Sequence, residues 1–556
     1  MARVVNSRIR LLLLCILLTF GALLARTTWL STVRASALSQ AGQEQTKAAV
    51  ILPAGRGTIF DSVGSPLALG EQATTVYVDP TEVTHARREA VTAARVLGLR
   101  APDVFRSLTR PGTHFSYVYR KAPTDKASVL AEKRLAGFHF YGEERRSYPQ
   151  NSVAAQVLGF AGVDNSGLAG LESELDAQLT GRPGKQTIVR DPFGRAISVE
   201  QTTPARPGKA VFLTLDHTIQ ANAEQVLRQT VAKYSAKDGT AIVLDPKTGA
   251  VLAMAEAPGY NANNFPRAEA KGLQRNHAVT DVFEPGSVFK VVTIAGALSE
   301  HLVTPLTKFT LPYSIQVADR VIHDAEQRGT ETMTVSQILQ HSSNVGTVTI
   351  ARTLLREARL KRWIKQFGFG RRTGIDFPGE TAGLLPSYWS GSTIGNVPIG
   401  QGISVTAIQL VSVYAAIANR GVWVQPHLVD HVQGEKPAAP KQRRILSPGI
   451  DRELLQMLKG VVSDVGTAAG AEIPGYTVAG KTGTAQKPGP HGYEPGKYVA
   501  TFVGMVPAND PRLVVLVTVD EPHGSIFGGL VAAPAFAQIA AFDLQYLEVP
   551  PDHAVR

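Results

Sequence analysis

Apolar and polar positions are arranged in three ways along this chain, and each predicts a different kind of structure. Leu11 to Ala25 is an unbroken apolar run of fifteen residues, preceded by Arg3, Arg8 and Arg10 and closed by Arg26. That is shorter than the ~20 residues that span a bilayer, and it also fits the ~7 to 15 of a signal-peptide core. No small-x-small cleavage site follows at once: Leu23 spoils Leu23-Leu24-Ala25, and Ala35-Ser36-Ala37 lies far downstream. If Arg10 and Arg26 snorkel, the span extends over Ile9 to Leu30 with Trp29 at the interface. An uncleaved anchor is expected, with the basic tail in the cytoplasm and the remainder exported.

A polar, alanine-rich stretch, Ser31 to Ala48, leads to the turn-rich segment Pro53 to Gly57, where a new domain is expected to start. From about 50 to 220, short apolar runs alternate with charged helical stretches such as Glu82 to Leu99, a mixed α+β pattern without a catalytic cluster. Near Asp216 the pattern changes. An amphipathic helix over Thr218 to Ala236 precedes two apolar strands within Thr240 to Ala255, joined at Asp245-Pro246-Lys247-Thr248-Gly249 in a hairpin. Helical periodicity dominates from Ser287 to about Phe369. Strands follow at Tyr476 to Ala485, Tyr498 to Val506 and Leu513 to Val519, with a last helix beginning near Ala532. Strands at both ends and helices between them predict an antiparallel sheet packed on a helical cluster. The boundaries are an anchor over 1–30, a non-catalytic domain over 31–220 and a catalytic domain over 221–556.

Length and composition agree with a multidomain α+β protein: 556 residues, 44% hydrophobic and 19% charged. The formal charge of +11 permits a nucleic acid, an anionic membrane or an acidic polymer as neighbour. No zinc spacing, RNP-like aromatic stretch or Lys/Arg-dense helix stands out, so nucleic acid is not expected. The one cysteine, Cys15, excludes an internal disulfide and a cysteine metal site. No cofactor or metal is implied.

The chemistry rests on three short motifs in a fixed order: Ser287-Val288-Phe289-Lys290, Ser342-Ser343-Asn344 and Lys481-Thr482-Gly483-Thr484. Glu284-Pro285-Gly286 ends an irregular segment, so Ser287 opens a helix, where the dipole favours negative charge. Three residues on, Lys290 projects from the same face and can share a proton with Ser287. A lysine acts as a base only when desolvation or nearby cations lower its pKa, and Val288, Phe289, Val291 and Val292 suit desolvation. Ser342 and Asn344 fall between helical runs, as a proton-relaying hydroxyl and an amide to fix Lys290 or the substrate. Lys481 to Thr484 would lie on a strand edge where an extended peptide adds, with hydroxyls and a cation ready for a carboxylate. Lys-Thr-Gly occurs also at Lys247, but there it sits in a hairpin turn, ahead of the serine.

In this order the motifs are those of serine penicillin-recognising enzymes, and the chain resembles a class B penicillin-binding protein of the division (septal) type. The resemblance extends over Arg56-Gly57-Thr58-Ile59-Phe60-Asp61, Gly167 to Glu172, Leu213 to Asp216, Glu284 to Ser287, His341 to Asn344, Gly400 to Ser404 and Ala479 to Gln486. It implies a C-terminal penicillin-binding transpeptidase domain of serine β-lactamase-like fold, an elongated α+β pedestal and one transmembrane helix. It also implies that Ser287 attacks the penultimate D-Ala carbonyl of a stem peptide, with Lys290 as base, Ser342 as proton relay, Asn344 as positioner and Lys481 as electrostatic support. Thr482, Gly483 and Thr484 would bind substrate, and the backbone N–H groups of Ser287 and Thr484 would form the oxyanion hole. β-Lactams would acylate the same serine. Partners implied are peptidoglycan stem peptides, a membrane glycan polymerase and other division proteins.

Ser62-Val63-Gly64 departs from the family's habitual Arg-Asn-Gly, which reads as a changed turn. Absence of an appended module after the catalytic domain suits a Gram-negative inner-membrane protein, and asparagine at 344, where elongation-type relatives have aspartate, favours the septal type. The alternatives are an elongation-type transpeptidase, a serine β-lactamase and a non-catalytic penicillin sensor or scaffold. His277 and His341 read as structural and Asp376 as a loop residue. Arg56, Arg145 and Arg146 read either as a solvated face or as partner contacts.

Overall fold

The computed structural model describes residues 2–37, 40, 47–190, 196–490 and 492–554. The chain divides into two units, the first made of residues 1–55 and 181–208 and the second of 56–180 and 209–556. In the first unit the N-terminal apolar run is one helix, Ala2–Thr32, whose segment Asn6–Thr32 is long and apolar enough to cross a membrane. Leu11 to Leu18 and Phe20 lie exposed along it, as a lipid-facing surface requires. The same unit contains a three-stranded antiparallel sheet of Lys47–Leu52, Gly184–Arg190 and Ala196–Thr203.

In the second unit, strands Pro66–Val78, Ser116–Pro123 and Phe138–Ser147 pair antiparallel. Helices Ala86–Leu97, Ala101–Leu108 and Thr124–Glu132 cover one face, where Val76 and Val78 meet Ala90, Leu97, Val104 and Leu130. Period-two alternation puts Tyr77 on the other face, between Tyr117 and His139.

Behind this sheet the two readings of Arg56 and Arg146 give way to a third. Both guanidiniums are buried and share the carboxylate of Glu172, with Nε of Arg56 and of Arg146 each 2.6 Å from one of its oxygens. Asp176 adds a contact of 2.7 Å to Arg56. Arg145 is partly exposed and pairs with Glu71 at 2.8 Å. The changed turn after Asp61 is closed by the Asp61 carboxylate, which accepts from the backbone N–H of Val63 and Ser65.

The central element of the catalytic half is a five-stranded antiparallel sheet in the order Val251–Ala257, Asp238–Leu244, Leu513–Asp520, Gly492–Val506, Ala479–Gly489. Its strands read as apolar runs because both faces are covered. Val515, Val517 and Phe502 pack towards helices His217–Lys233 and Gly528–Tyr546, together with Leu227 and Phe536. Their neighbours Val514, Leu516 and Val503 face the helical cluster with Phe289, Ile294 and Tyr414. Each fully buried Val or Leu is worth about 1.5–3 kcal/mol, so the sheet is a rigid platform. The strand expected from Tyr476 begins instead at Ala479: Tyr476 turns back on Ile473, and Asp552 accepts the Thr477 N–H at 2.7 Å. The final helix starts at Gly528, four residues before Ala532.

One further expectation is corrected. Helix Arg356–Phe367 carries five Lys/Arg in twelve residues, so a basic helix is present after all. Its buried positions Leu360, Trp363, Ile364 and Phe367 set the helical period, which leaves the cations on the outer face.

Candidate active site

Ser287 lies in a 3₁₀ turn, Gly286–Phe289, that runs into the helix Lys290–Ser299. In a 3₁₀ turn residues three apart eclipse, which puts Ser287 and Lys290 on one side. The turn is fixed from several directions. Gly286 has φ +57° and donates its N–H to the Gly400 carbonyl at 3.0 Å. A Cβ at Gly400 would lie 2.1 Å from the Gly286 oxygen, so only glycine allows this approach. Glu284 accepts from the Gly402 N–H and from the Tyr493 hydroxyl, each at 2.8 Å, and the buried Tyr414 hydroxyl donates to the Val288 carbonyl at 2.8 Å. Ser287 itself is half-buried, and its hydroxyl has no hydrogen-bond partner among the described residues.

Lys290 is fully buried. Its ammonium donates to the backbone carbonyl of Ser342 and, at 3.1 Å, to the Ser342 hydroxyl. The expected hydrogen bond to Ser287 is not made here; the Ser342 carbonyl, turned inward by a left-handed backbone at φ +58°, takes its place. Such bonds often tighten only with substrate bound. Burial, and then the charge of Lys481, push the Lys290 pKa well below the ordinary lysine value, against the opposing pull of Asp324.

Asp324 is the residue that motif reading missed. It accepts from the Ser343 hydroxyl at 3.0 Å, from the Val345 N–H at 2.9 Å and from Arg328 at 2.6 Å, and so holds the turn that presents Ser342. No local pattern marks it, because it lies nineteen residues before Ser343 on another element. Asn344 does not touch Lys290. Its amide donates to the His323 carbonyl at 2.9 Å, which ties the same turn to the strand Arg320–His323.

The third motif forms the first half of the edge strand Ala479–Gly489. Lys481 is fully buried, and desolvation lowers its pKa to about 7. It donates to the Thr482 carbonyl at 3.2 Å, and the Thr482 hydroxyl lies 2.8 Å from that of Thr467. Gly483 permits close packing, since a Cβ there would meet the Pro285 oxygen at 3.0 Å and Val288 at 3.2 Å. Thr484 accepts from the Gly528 N–H at 3.3 Å. The three motifs thus converge on one cleft beside an open strand edge.

A serine beside a desolvated lysine, an extended-peptide edge and a second buried lysine together define a penicillin-recognising acyl transferase. Residues 239–541 match the penicillin binding protein transpeptidase domain, and residues 51–213 match the penicillin-binding protein dimerisation domain. The chain belongs to the class B penicillin-binding proteins, the peptidoglycan D,D-transpeptidases. It is 33% identical to the peptidoglycan D,D-transpeptidase FtsI of Escherichia coli K12, over 99% of this chain and 94% of that one. It is 34% identical to the probable peptidoglycan D,D-transpeptidase PenA of Neisseria meningitidis, over 98% and 94%. The crystal structure of penicillin binding protein 3 from Mycobacterium tuberculosis complexed with aztreonam superposes with a TM-score of 0.71 at 31% identity, covering 91% of this chain and 99% of that one.

Proposed function

We propose that this protein cross-links peptidoglycan stem peptides at the division septum through an acyl-enzyme on Ser287. The observation that carries the reading is Lys290, buried without a carboxylate partner one turn from a half-exposed serine. A neutral Lys290 amine takes the Ser287 proton as Oγ attacks the penultimate D-Ala carbonyl, and a C–O bond forms. The oxyanion is held by the backbone N–H groups of Ser287 and Thr484. As it collapses, the C–N bond to the terminal D-Ala breaks, and the Ser342 hydroxyl relays the proton from Lys290 to the leaving amine. An amine of a second stem then attacks the ester and gives its proton to Lys290; the new C–N bond forms, the C–Oγ bond breaks, and Lys290 returns the proton to Ser287 Oγ. Lys481 supports the developing charge, Asn344 positions the cleft, and Thr482, Gly483 and Thr484 hold the substrate strand and its carboxylate. β-Lactams acylate the same oxygen and remain bound.

The reading places residues 1–30 as cytoplasmic tail and anchor in the inner membrane, 31–220 as a pedestal and 221–556 as the periplasmic transpeptidase domain. A membrane glycan polymerase and other division proteins are its partners. Fluorescent-penicillin labelling of wild type and Ser287→Ala, followed over hours by gel and intact mass, tests the core of it. A long-lived adduct absent from the variant is expected. No adduct on folded wild type, or one hydrolysed within minutes, would count against it.

A further inference from the structure

The catalytic half carries a second concave site that the acyl-transfer chemistry does not use. A groove of about 560 Å³ lies along the helix Arg356–Phe367, lined by Lys361, Arg362, Lys365, Arg371 and Arg443, with no carboxylate lining it among the described residues. Two of the five cations are neutralised from outside the groove: Arg362 by Glu300 and Lys361 by Glu357, each at 2.5 Å. Lys365, Arg371 and Arg443 have no carboxylate partner among the described residues. Arg443 is held by the Gln366 carbonyl and stacks 4.9 Å above the Trp423 ring, while burial and the charge of Arg371 push its pKa down. Free cations on a surface normally spread apart. Here they crowd into a concavity at a cost in mutual repulsion, which an anion in the groove would offset.

We infer that this groove holds a second stretch of peptidoglycan through the carboxylates that its stem peptides present at each repeat. The inference rests on the reading above that peptidoglycan is the substrate. Among polyanions, it is the one that the neighbouring cleft already brings to this half of the molecule. Glu300, the partner of Arg362, caps the ten-residue serine helix, which at 1.5 Å per residue puts about 15 Å of helix between Lys290 and the groove. That helix is buried from Lys290 to Leu298, so one polymer reaches both places only by passing over the surface around it. Guanidiniums pair with carboxylates in a bidentate fork, and arginine supplies three of the five lining cations.

The test uses the full-length protein in detergent, acylated to completion with penicillin so that Ser287 cannot retain substrate, and co-sedimented with purified insoluble peptidoglycan across a salt series. Acylated wild type is expected to sediment. A Lys365→Glu/Arg371→Glu double variant should bind about tenfold more weakly, with a shallower salt dependence. Capping the wall carboxylates as uncharged amides should weaken wild type to the same level. Equal sedimentation of variant and wild type, or undiminished binding to the capped wall, overturns the inference. So does a variant that loses only its binding to anionic phospholipid vesicles, which would assign the groove to a membrane surface. Penicillin labelling reports separately. Unchanged labelling of the variant shows that it is folded, a missing adduct on wild type contradicts the Ser287 reading, and an adduct without sedimentation contradicts the groove.

Discussion

Arg56 with Arg146, and Lys290 with Lys481, are two pairs of cations buried to a similar degree and treated in opposite ways. Burial works against the charge of Arg56, but Glu172 and Asp176 outweigh it and its pKa is raised. Lys290 and Lys481 lie fully buried, with no carboxylate in hydrogen-bond contact among the described residues, and both pKa values fall, Lys481 through burial alone and Lys290 through burial and then the charge of Lys481. A buried carboxylate between two arginines fixes the meeting of three distant segments. A buried lysine without one keeps an amine ready to accept a proton. Where the fold satisfies its charges it is building structure, and where it leaves them unsatisfied it is building reactivity.

The comparison breaks first at Lys290. Lys290→Met, of similar length and uncharged, should lower the rate of penicillin acylation by about 10³-fold while leaving the thermal midpoint unchanged or higher. A large loss of stability would instead make Lys290 a structural cation. Glu172→Gln is the mirror test. It leaves buried Arg146 without a carboxylate and Arg56 with Asp176 alone, and should cost about 3–5 kcal/mol in a denaturant titration, with acylation per folded molecule unchanged. Third, Asp324→Asn should slow acylation about tenfold, read as the rate constant per folded molecule, by loosening the turn that presents Ser342.

The smallest effect is a pH drift. Lys481 titrates near 7 when folded, whereas an unfolded lysine titrates near ~10.4. Between these values the unfolded chain binds more protons, so wild-type stability gains from this site as pH rises. Lys481→Met lacks that gain. Its advantage over wild type should therefore shrink by about 1 kcal/mol per pH unit upward from pH 7. A difference independent of pH would mean that Lys481 is solvated.

Most of the candidate cleft's placement was legible in the sequence because its motifs are local. Ser287 and Lys290 share one turn, and Lys481 to Thr484 share one strand. The sheet was legible because runs such as Leu513 to Val519 are apolar at every position but Thr518. What escaped depends on separation along the chain. Arg56 meets Glu172 across 116 residues, and no spacing rule connects them. Asp324 acts from the segment just after strand Arg320–His323. The cations of Arg356–Phe367 were overlooked because they alternate with buried Leu360, Trp363 and Ile364, which dilutes the run along the sequence but not along the exposed face. The Ser287 to Lys290 hydrogen bond, the simplest expectation, is replaced by one to a backbone carbonyl that only the folded turn at Ser342 supplies.

Among the described residues, the edge strand Ala479–Gly489 ends its sheet without a further neighbour. An open edge is a template for any extended chain, including a second copy of the same protein. Two features guard it in the folded molecule: the Gly286 turn packed beside Thr484, and the hydrogen bond from Tyr493, on the paired strand, to Glu284. Neither protects a chain still being folded or concentrated in the absence of ligand. An extended chain that paired with this edge would close the sheet, and colloidal behaviour would then be tied to its occupancy.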